Sequence, residues 1–272
     1  KKVCESIKPN LILVLGDRDE PLAGAIVGTH LNIPVAHIHG GDVTGTVTVD
    51  DRIRDAITSF SKLHFPVSEK SATRIKQILG HKTKHVFLAG SVGSEEMNEV
   101  LNKNLLAVKY QLSLNRPWIL FIMHPTPLET TSFIDQIGSA LKAMEMLDVE
   151  IIGIYPNSDT GSDIFIKQIK KSRIFTKILP SLPRKDYLSF LRHCHVIVGN
   201  SSSAVLEAPF FGTYVVNIGR RQQDRSTYQN KTDVSYNTQV IRDCIVQYLN
   251  QTKILRTGKL ETPLPSQIIV SH

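Results

Sequence analysis

Serine and arginine residues follow two apolar segments in the second half of the sequence. Segment 195–198 is followed by the serine triplet Ser201–Ser203, and segment 214–218 by a turn that carries Arg221 and Arg225. Hydroxyl groups and unpaired N–H groups at the start of a helix bind anions, and arginine pairs bidentately with phosphate. Ligands of α/β sheets bind at the carboxyl ends of strands. The combination predicts a phosphate site, although the triplet alone is typical of an N-cap and the arginine turn alone of a solvated basic loop.

Acidic residues and a histidine lie at similar positions in the first half. Asp17 and Arg18 follow one apolar segment, His39 and Asp42 follow the next, and Asp50 begins a predicted helix soon afterwards. Adjacent parallel strands bring such residues to one edge of a sheet. Crowded carboxylates acquire separated pKa values, so that one can act as a base and another as an acid. We therefore predict acid–base chemistry at this edge, with a structural ion pair as the alternative for Asp17 and Arg18.

His124 ends the first predicted strand of the second half and precedes a proline that fixes the turn. A histidine at that position can donate a hydrogen bond to a phosphate or to a leaving oxygen. The His, Cys, Asp and Glu residues do not cluster at the spacing of metal ligands, so we predict that no metal is bound.

The composition is that of an ordinary globular protein with an excess of positive charge. The chain has 272 residues, a formal net charge of +7 and three widely spaced cysteines. The basic residues are scattered rather than gathered in a tail, which favours an anionic small ligand over nucleic acid. Apolar runs fall short of the roughly 18 residues of a membrane span, and the cysteine pattern suits a reducing cytoplasm. We therefore predict a cytoplasmic protein that binds neither nucleic acid nor a membrane.

The elements that position these residues alternate between apolar strands and helices, which is typical of a doubly wound α/β sheet. The segment Asn115-Arg116-Pro117 is typical of a loop between structural elements and predicts a domain boundary. The predicted organisation is a first domain at 1–115 with the carboxylates, a second at 116–252 with the phosphate site, and a tail at 253–272. The first domain begins partway through the alternation of strands and helices, as if earlier βαβ units were missing.

Seven stretches of the sequence occur, in the same order, in one enzyme family. They are GDRDEPLA (16–23), HIHGGDVTGT (37–46), DDRIRDAIT (50–58), HPTP (124–127), YPNSDTGS (155–162), GNSSSAVLEAPFFGT (199–213) and NIGRRQQDR (217–225). On these stretches the chain resembles the UDP-N-acetylglucosamine 2-epimerases, in particular the hydrolysing branch that feeds the synthesis of sialic-acid-type sugars.

The resemblance implies two Rossmann-like domains that face each other across a cleft, as in GT-B enzymes, with the nucleotide held mainly by the second. It implies that Ser201, Ser202 and Arg221 bind the diphosphate and that Glu207 binds the ribose hydroxyls. The remaining candidate substrate contacts are His124, Asn157, the turn around Leu182, Arg18 and Arg225. The family requires no nicotinamide cofactor and no metal, and it suggests a homodimer or homotetramer.

The reaction of the family removes the proton at C2 of the sugar and expels UDP from C1, leaving a glycal. Water then adds to the double bond and releases an N-acetylmannosamine-type sugar. Asp17 and Asp50 match the carboxylates of the family's cleft, and Asp42, His39 and His124 complete the candidate catalytic set. A UDP-linked 2,4-diacetamido-6-deoxy sugar is an alternative substrate.

The sequence departs from the family pattern at several positions. His39 stands where many relatives have glutamate, and Asp42 is the candidate replacement. The segment from Thr46 to Asp50 is two residues longer than in the family pattern, so that Asp51 competes with Asp50 for the aligned position. Asp224 replaces a common glycine, and an N-terminal strand with a phosphate-binding arginine has no counterpart. The alternatives are a non-hydrolysing epimerase, a GT-B glycosyltransferase and a truncated nucleotide-sugar binder.

Overall fold

The computed structural model describes residues 1–43, 49–80, 85–223, 229–253 and 263–272. The chain forms two compact units, one comprising Lys1–Glu95 with Leu260–His272 and the other Glu96–Lys259. Each unit contains one parallel sheet, so the predicted α/β class with two sheet-based domains is confirmed.

The first unit contains a three-stranded sheet in the order β1-β2-β3. Its elements are α1 (Lys2–Ile7), β1 (Ile12–Leu15), α2 (Asp19–His30), β2 (Val35–Ile38), α3 (Val49–Phe60), β3 (Leu63–Phe65) and α4 (Glu69–Leu79). The middle strand β2 is buried along its whole length, whereas β1 buries only Val14. Because β1 and β2 are parallel neighbours, their carboxyl ends lie side by side, as the sequence predicts for the acidic residues that follow them.

The second unit contains a six-stranded parallel sheet in the order β6-β5-β4-β7-β8-β9. A 3₁₀ segment, Val92–Asn98, leads into it. Its elements are α5 (Lys103–Tyr110), β4 (Trp118–Ile122), α6 (Phe133–Ala143), β5 (Glu150–Ile154), α7 (Ser162–Lys171), β6 (Lys177–Leu179), α8 (Arg184–His193), β7 (Val196–Gly199), α9 (Ser202–Leu206), α10 (Ala208–Phe211), β8 (Tyr214–Ile218), β9 (Lys231–Val234) and α11 (Thr238–Leu249).

The strand order of the second sheet reverses direction between β4 and β7. From β4 the chain proceeds outward through β5 and β6, then returns to β7 on the other side and continues outward through β8 and β9. A crevice forms outside the carboxyl ends of the strands at such a reversal, and this is where open α/β sheets bind their ligands. The residues that follow β4 and β7 therefore occupy the most favourable position for a ligand site in this sheet.

The division between the units differs from the predicted boundary at residue 115. Leu106 of α5 is fully buried in the same apolar core as Leu188 and Phe190 of α8, so α5 belongs to the second unit. The end of the chain is also more than a tail. Residues Pro265–Ser271 form α12, whose Ile268 and Ile269 pack on the apolar core of the first unit.

Among the described residues, the helices all fall short of the length and apolar composition that crossing a membrane would require.

Candidate functional site

Asn200 joins the ends of β4 and β7 at the point where the strand order reverses. Its fully buried side chain accepts a hydrogen bond from the His124 N–H at 2.7 Å and donates one to the His124 carbonyl at 2.8 Å. The preceding Gly199 has φ 137°, and a Cβ added there would lie 1.9 Å from the Ile122 carbonyl oxygen. Only glycine allows this close approach of the two strand ends. Gly199 and Asn200 therefore fix the position of His124 relative to the serine triplet.

His124 is buried, and its ring has a defined proton arrangement in the neutral state. The backbone N–H of Asn157 donates to Nδ1 at 3.2 Å. Because Nδ1 accepts this hydrogen bond, the ring proton lies on Nε2. The imidazole therefore can act as a hydrogen-bond donor through Nε2, which is the property that the sequence predicts for it.

An open cavity of about 230 Å³ lies at these strand ends in the second unit. Four of the predicted substrate residues, His124, Asn157, Leu182 and Ser201, line this cavity. The other lining residues are Ile122, Ile154, Tyr155, Pro156, Pro180, Ser181, Tyr187 and Ser203. The structure thus brings together residues that are as much as 81 positions apart in the sequence, between Ile122 and Ser203.

The serine triplet does not form the expected helix cap. Ser201 occupies the N-cap position of α9, but its side chain makes no capping hydrogen bond; its Oγ lies 2.9 Å from the Oγ of Ser203 instead. Helix α9 has only five residues, and α10 restarts the helical path with Pro209 in its first turn. A helix this short has little macrodipole. The macrodipole of α9 therefore adds little to the positive potential at the serine triplet.

Arg221 reaches the serine loop from the turn after β8. Its Nη1 donates to the Asn200 carbonyl at 3.1 Å. The turn is anchored by Glu129, whose carboxylate accepts the Arg220 N–H at 2.8 Å. Arg221 and the serine triplet therefore share one end of the sheet, as predicted. Arg225, like Asp224, lies outside the described residues.

Glu207 is held by an arginine that the sequence analysis did not single out. Arg184, in the first turn of α8, lies 2.6 Å from Oε1 of Glu207 and donates to Glu96 at 3.2 Å. Within the described part of the chain, the buried Oε2 of Glu207 has no hydrogen-bond partner. One oxygen of this carboxylate is thus fixed by Arg184.

The acidic cluster of the first unit is organised by Arg54, a second residue that the sequence analysis missed. The guanidinium is 2% exposed and pairs with Asp17, which is 27% exposed, and with Asp51 at 2.8 Å, which is 3% exposed. It also donates to the Asp42 carbonyl at 2.8 Å. Arg54 therefore ties together the turns after β1 and β2 and the start of α3.

The other candidates of the first unit surround this cluster. Arg18 lies 3.6 Å from Asp50, and the Asp42 carboxylate accepts the Ser71 hydroxyl at 2.5 Å. The sequence-based alternative of an Asp17–Arg18 pair is replaced by two pairs, each with a residue of α3. His39 has φ 65° and its backbone N–H bonds to the Phe65 carbonyl at 3.0 Å, so the structure places it beside the end of β3.

His37 forms a buried hydrogen-bonded support beneath the Asp17 turn. Its Nε2 lies 2.9 Å from the Gly16 carbonyl and its Nδ1 lies 3.2 Å from the Thr58 hydroxyl. A carbonyl only accepts, so Nε2 carries the proton and Nδ1 accepts from Thr58. Burial lowers the pKa of His37 from 6.5 to about 4, with Arg54 adding to the effect and the Gly16 hydrogen bond opposing it. His37 is therefore neutral near neutral pH.

This arrangement predicts a loss of stability in mild acid. The folded-state pKa of His37 lies below that of the unfolded chain. The stability that the neutral ring contributes to the fold is therefore complete above pH 6.5 and is lost as the pH falls towards 4. We expect the free energy of unfolding in urea to fall by about 1–3 kcal/mol between about pH 7 and about pH 4.5 through this group. A His37→Gln variant should show a shallower dependence, and His30→Gln, at an exposed position, should match the parent. If the free energy of unfolding depended on pH equally in the parent and in His37→Gln, the buried neutral state of His37 would be contradicted.

Among the described residues, His, Cys, Asp and Glu side chains do not come together in groups of three that could hold a metal ion.

Comparison with known proteins decides the family. The family model described as UDP-N-acetylglucosamine 2-epimerase matches residues 1–264. The chain belongs to the UDP-N-acetylglucosamine 2-epimerase family. It is 35% identical over 257 residues to the UDP-N,N'-diacetylbacillosamine 2-epimerase (hydrolyzing) of Legionella pneumophila, covering 93% of this chain and 67% of that protein.

Two further similarities agree with this assignment. The chain is 34% identical over 248 residues to a UDP-N-acetylglucosamine 2-epimerase of Neisseria meningitidis, covering 90% of this chain and 65% of that protein. A crystal structure of UDP-GlcNAc 2-epimerase from Neisseria meningitidis bound to UDP-GlcNAc has a TM-score of 0.75 at 19% identity, over 99% of this chain and 77% of the other. The chain therefore shares the fold of that structure and spans about two thirds of the length of the two relatives.

Proposed function

We propose that this member of the family is a hydrolysing epimerase that converts UDP-N-acetylglucosamine, or its 2,4-diacetamido-6-deoxy analogue, to UDP and a free sugar inverted at C2. The observation that carries the proposal is the convergence of His124, Ser201 and Arg221 at the strand-order reversal of the second sheet. Three groups of these types suit an anionic leaving group at the carboxyl end of a sheet.

The second unit supplies the nucleotide site in this proposal. The hydroxyls of Ser201 and Ser202 and the guanidinium of Arg221 bind the diphosphate, assisted by Arg225, and the Nε2 proton of His124 donates to the sugar or phosphate oxygens. The unpartnered carboxylate oxygen of Glu207 accepts the ribose hydroxyls. Asn157 and the backbone around Leu182 border the same cavity, which supports their assignment to the sugar and the uracil.

The first unit supplies the acids and bases. Removal of the C2 proton requires a carboxylate base, and return of a proton after hydration requires an acid. Asp17 is the proposed base because it is the partly exposed carboxylate of the Arg54 cluster. Asp50, Asp42 and His39 are the proposed acid and supporting groups, and Arg18 neutralises Asp50. No cofactor enters the proposed reaction, since expulsion of UDP needs only acid–base groups and cations.

The hydrolysing outcome is favoured by the identity to the Legionella pneumophila protein, whose name specifies hydrolysis. A location in the cytoplasm and a homodimeric or homotetrameric state remain predictions from the sequence.

The proposal is tested by identifying the products. The full-length protein, incubated with UDP-N-acetylglucosamine and followed by NMR, should release UDP and free N-acetylmannosamine. A UDP-linked epimer would instead indicate the non-hydrolysing reaction, and UDP release that depends on an added acceptor would indicate a glycosyltransferase. UDP binding without any turnover, with either candidate sugar, would leave only a nucleotide-sugar binder.

Removing the Arg221 guanidinium should weaken nucleotide binding. We expect Arg221→Ala to cost about 1.5–3 kcal/mol of UDP affinity, or roughly 10- to 150-fold, because a charge-assisted bond to phosphate is lost. Ser202→Ala should act in the same direction. Calorimetric titration with UDP measures the effect.

Arg220→Ala is the matched control for Arg221→Ala, since Arg220 lies in the same turn with an exposed side chain. It should retain nearly full affinity. Equal losses in the two variants would show that the turn contributes only diffuse positive charge.

A further inference from the structure

Three hydroxyl groups form a row along the cavity of the second unit. The Tyr187 hydroxyl donates a hydrogen bond to the Ser203 Oγ, which lies 2.9 Å from the Ser201 Oγ. All three residues line the cavity. Tyr187 belongs to α8 and the serines to the loop and helix after β7, so tertiary packing brings the row together.

The protons of this row have a preferred direction. Burial raises the pKa of Tyr187, and the charge of Glu207 raises it further, so the phenol keeps its proton and donates it. A hydroxyl carries one proton. Ser201 is the other hydroxyl neighbour of Ser203, so the arrangement in which Ser203 accepts from Tyr187 and donates to Ser201 uses each proton of the row and directs the Ser201 proton onward.

We propose that Tyr187 is a positioning residue that orients the Ser203 and Ser201 hydroxyls so that Ser201 donates its proton to a phosphate oxygen of the bound nucleotide. This inference rests on the proposed function, because it requires a phosphate at Ser201. Without Tyr187 the Ser201 proton can turn back to Ser203, which leaves oxygen lone pairs facing the anion. A preorganised donor avoids that reorientation when the ligand binds.

The orientation of Ser201 matters for the phosphate but not for the nucleoside, and this difference provides the test. The Tyr187→Phe variant should bind UDP about tenfold more weakly than the parent, which is the size expected for one charge-assisted hydrogen bond. Its affinity for uridine, which lacks phosphate, should be unchanged. Titrations followed by NMR measure both ligands, including weakly bound uridine.

Two further variants sharpen the test. Tyr110→Phe is the matched control, because the hydroxyl of Tyr110, in α5, donates at 2.6 Å to Asp186 of α8, the helix that also carries Tyr187, and Tyr110 does not line the cavity. This variant should bind both ligands as the parent does. Ser203→Ala breaks the same row, so it should reproduce the effect of Tyr187→Phe. The double variant Tyr187→Phe, Ser203→Ala should then lose little more than either single variant, because the two changes remove one shared interaction.

The outcomes separate this inference from the proposed function. If the parent binds UDP and Tyr187→Phe binds it equally well, the positioning role is overturned and the nucleotide site stands. Equal losses for UDP and uridine in Tyr187→Phe would also overturn it, since Tyr187 would then support the nucleoside or the fold. If the parent binds neither ligand, the proposed function fails, and the inference fails with it.

Discussion

Replacing Asp17 by asparagine is expected to lower kcat by about 10²–10⁴-fold, the usual contribution of a positioned acid or base. The dissociation constant for UDP should remain close to that of the parent, because the proposed nucleotide contacts all belong to the second unit. The amide keeps the shape of the side chain and can still interact within the Arg54 cluster, but it cannot accept the C2 proton. Steady-state kinetics and UDP titration of the same preparation measure the two quantities.

The matched control for this prediction is Asp19→Asn. Asp19 lies two residues further along the same turn, at an exposed position in the first turn of α2, so its removal should leave kcat nearly unchanged. If Asp17→Asn lost UDP affinity together with kcat, or lost neither, Asp17 would be the structural partner of Arg54 rather than the base.

Replacing Arg54 by methionine is expected to destabilise the protein by about 3–5 kcal/mol, the cost of breaking a buried ion pair from one side. The change leaves the Asp51 carboxylate, 3% exposed, without its guanidinium partner, and it also releases Asp17. Turnover should fall as well, because Arg54 fixes the turn that carries the proposed base. Urea denaturation measures the stability.

Arg74→Met is the control for charge alone. Arg74 pairs with Asp55 at 2.6 Å, but the two side chains are 31% and 34% exposed, so the loss should stay within about 1 kcal/mol, as for other solvent-screened pairs. Similar destabilisation in both variants would mean that the buried Arg54 cluster adds nothing beyond a surface ion pair.

The sheets and the placement of the anion-binding residues could be predicted because they depend on local patterns. Apolar strands that end in glycine turns specify parallel sheets, and parallel sheets gather their carboxyl ends at one edge. His124, Ser201 and Arg221 each follow an apolar strand segment of the second half, which predicts from the sequence alone that they lie at one end of the second sheet. The acidic residues after β1 and β2 follow the same rule.

The pairing within the clusters could not be predicted in the same way. The alternative of an Asp17–Arg18 ion pair is wrong, because Arg54 of α3 reaches Asp17 through tertiary packing and Arg18 pairs with Asp50. One signal was available: Arg54 lies three positions after Asp51, which places both on one face of a helix. By contrast, Arg184 and Tyr187 carry no sequence signal for their partners 23 and 16 positions away, at Glu207 and Ser203.

Two other features that the sequence alone does not determine are the length of the helix after the serine triplet and the position of the domain boundary. Pro209 lacks a backbone N–H and interrupts the helical path near Glu207, so α9 is only five residues long. The Asn115-Arg116-Pro117 segment is only a loop before β4, because burial of Leu106 assigns α5 to the second unit. Burial of an individual apolar residue depends on its tertiary neighbours.

The measurement that tests the central claim most directly is hydrogen exchange at C2 of the sugar. The full-length protein is incubated with UDP-N-acetylglucosamine in D₂O, and the released sugar is examined by NMR and mass spectrometry. If UDP departs by elimination after a carboxylate removes the C2 proton, the free N-acetylmannosamine will carry deuterium at C2. A released sugar that retains its original C2 proton would contradict the account.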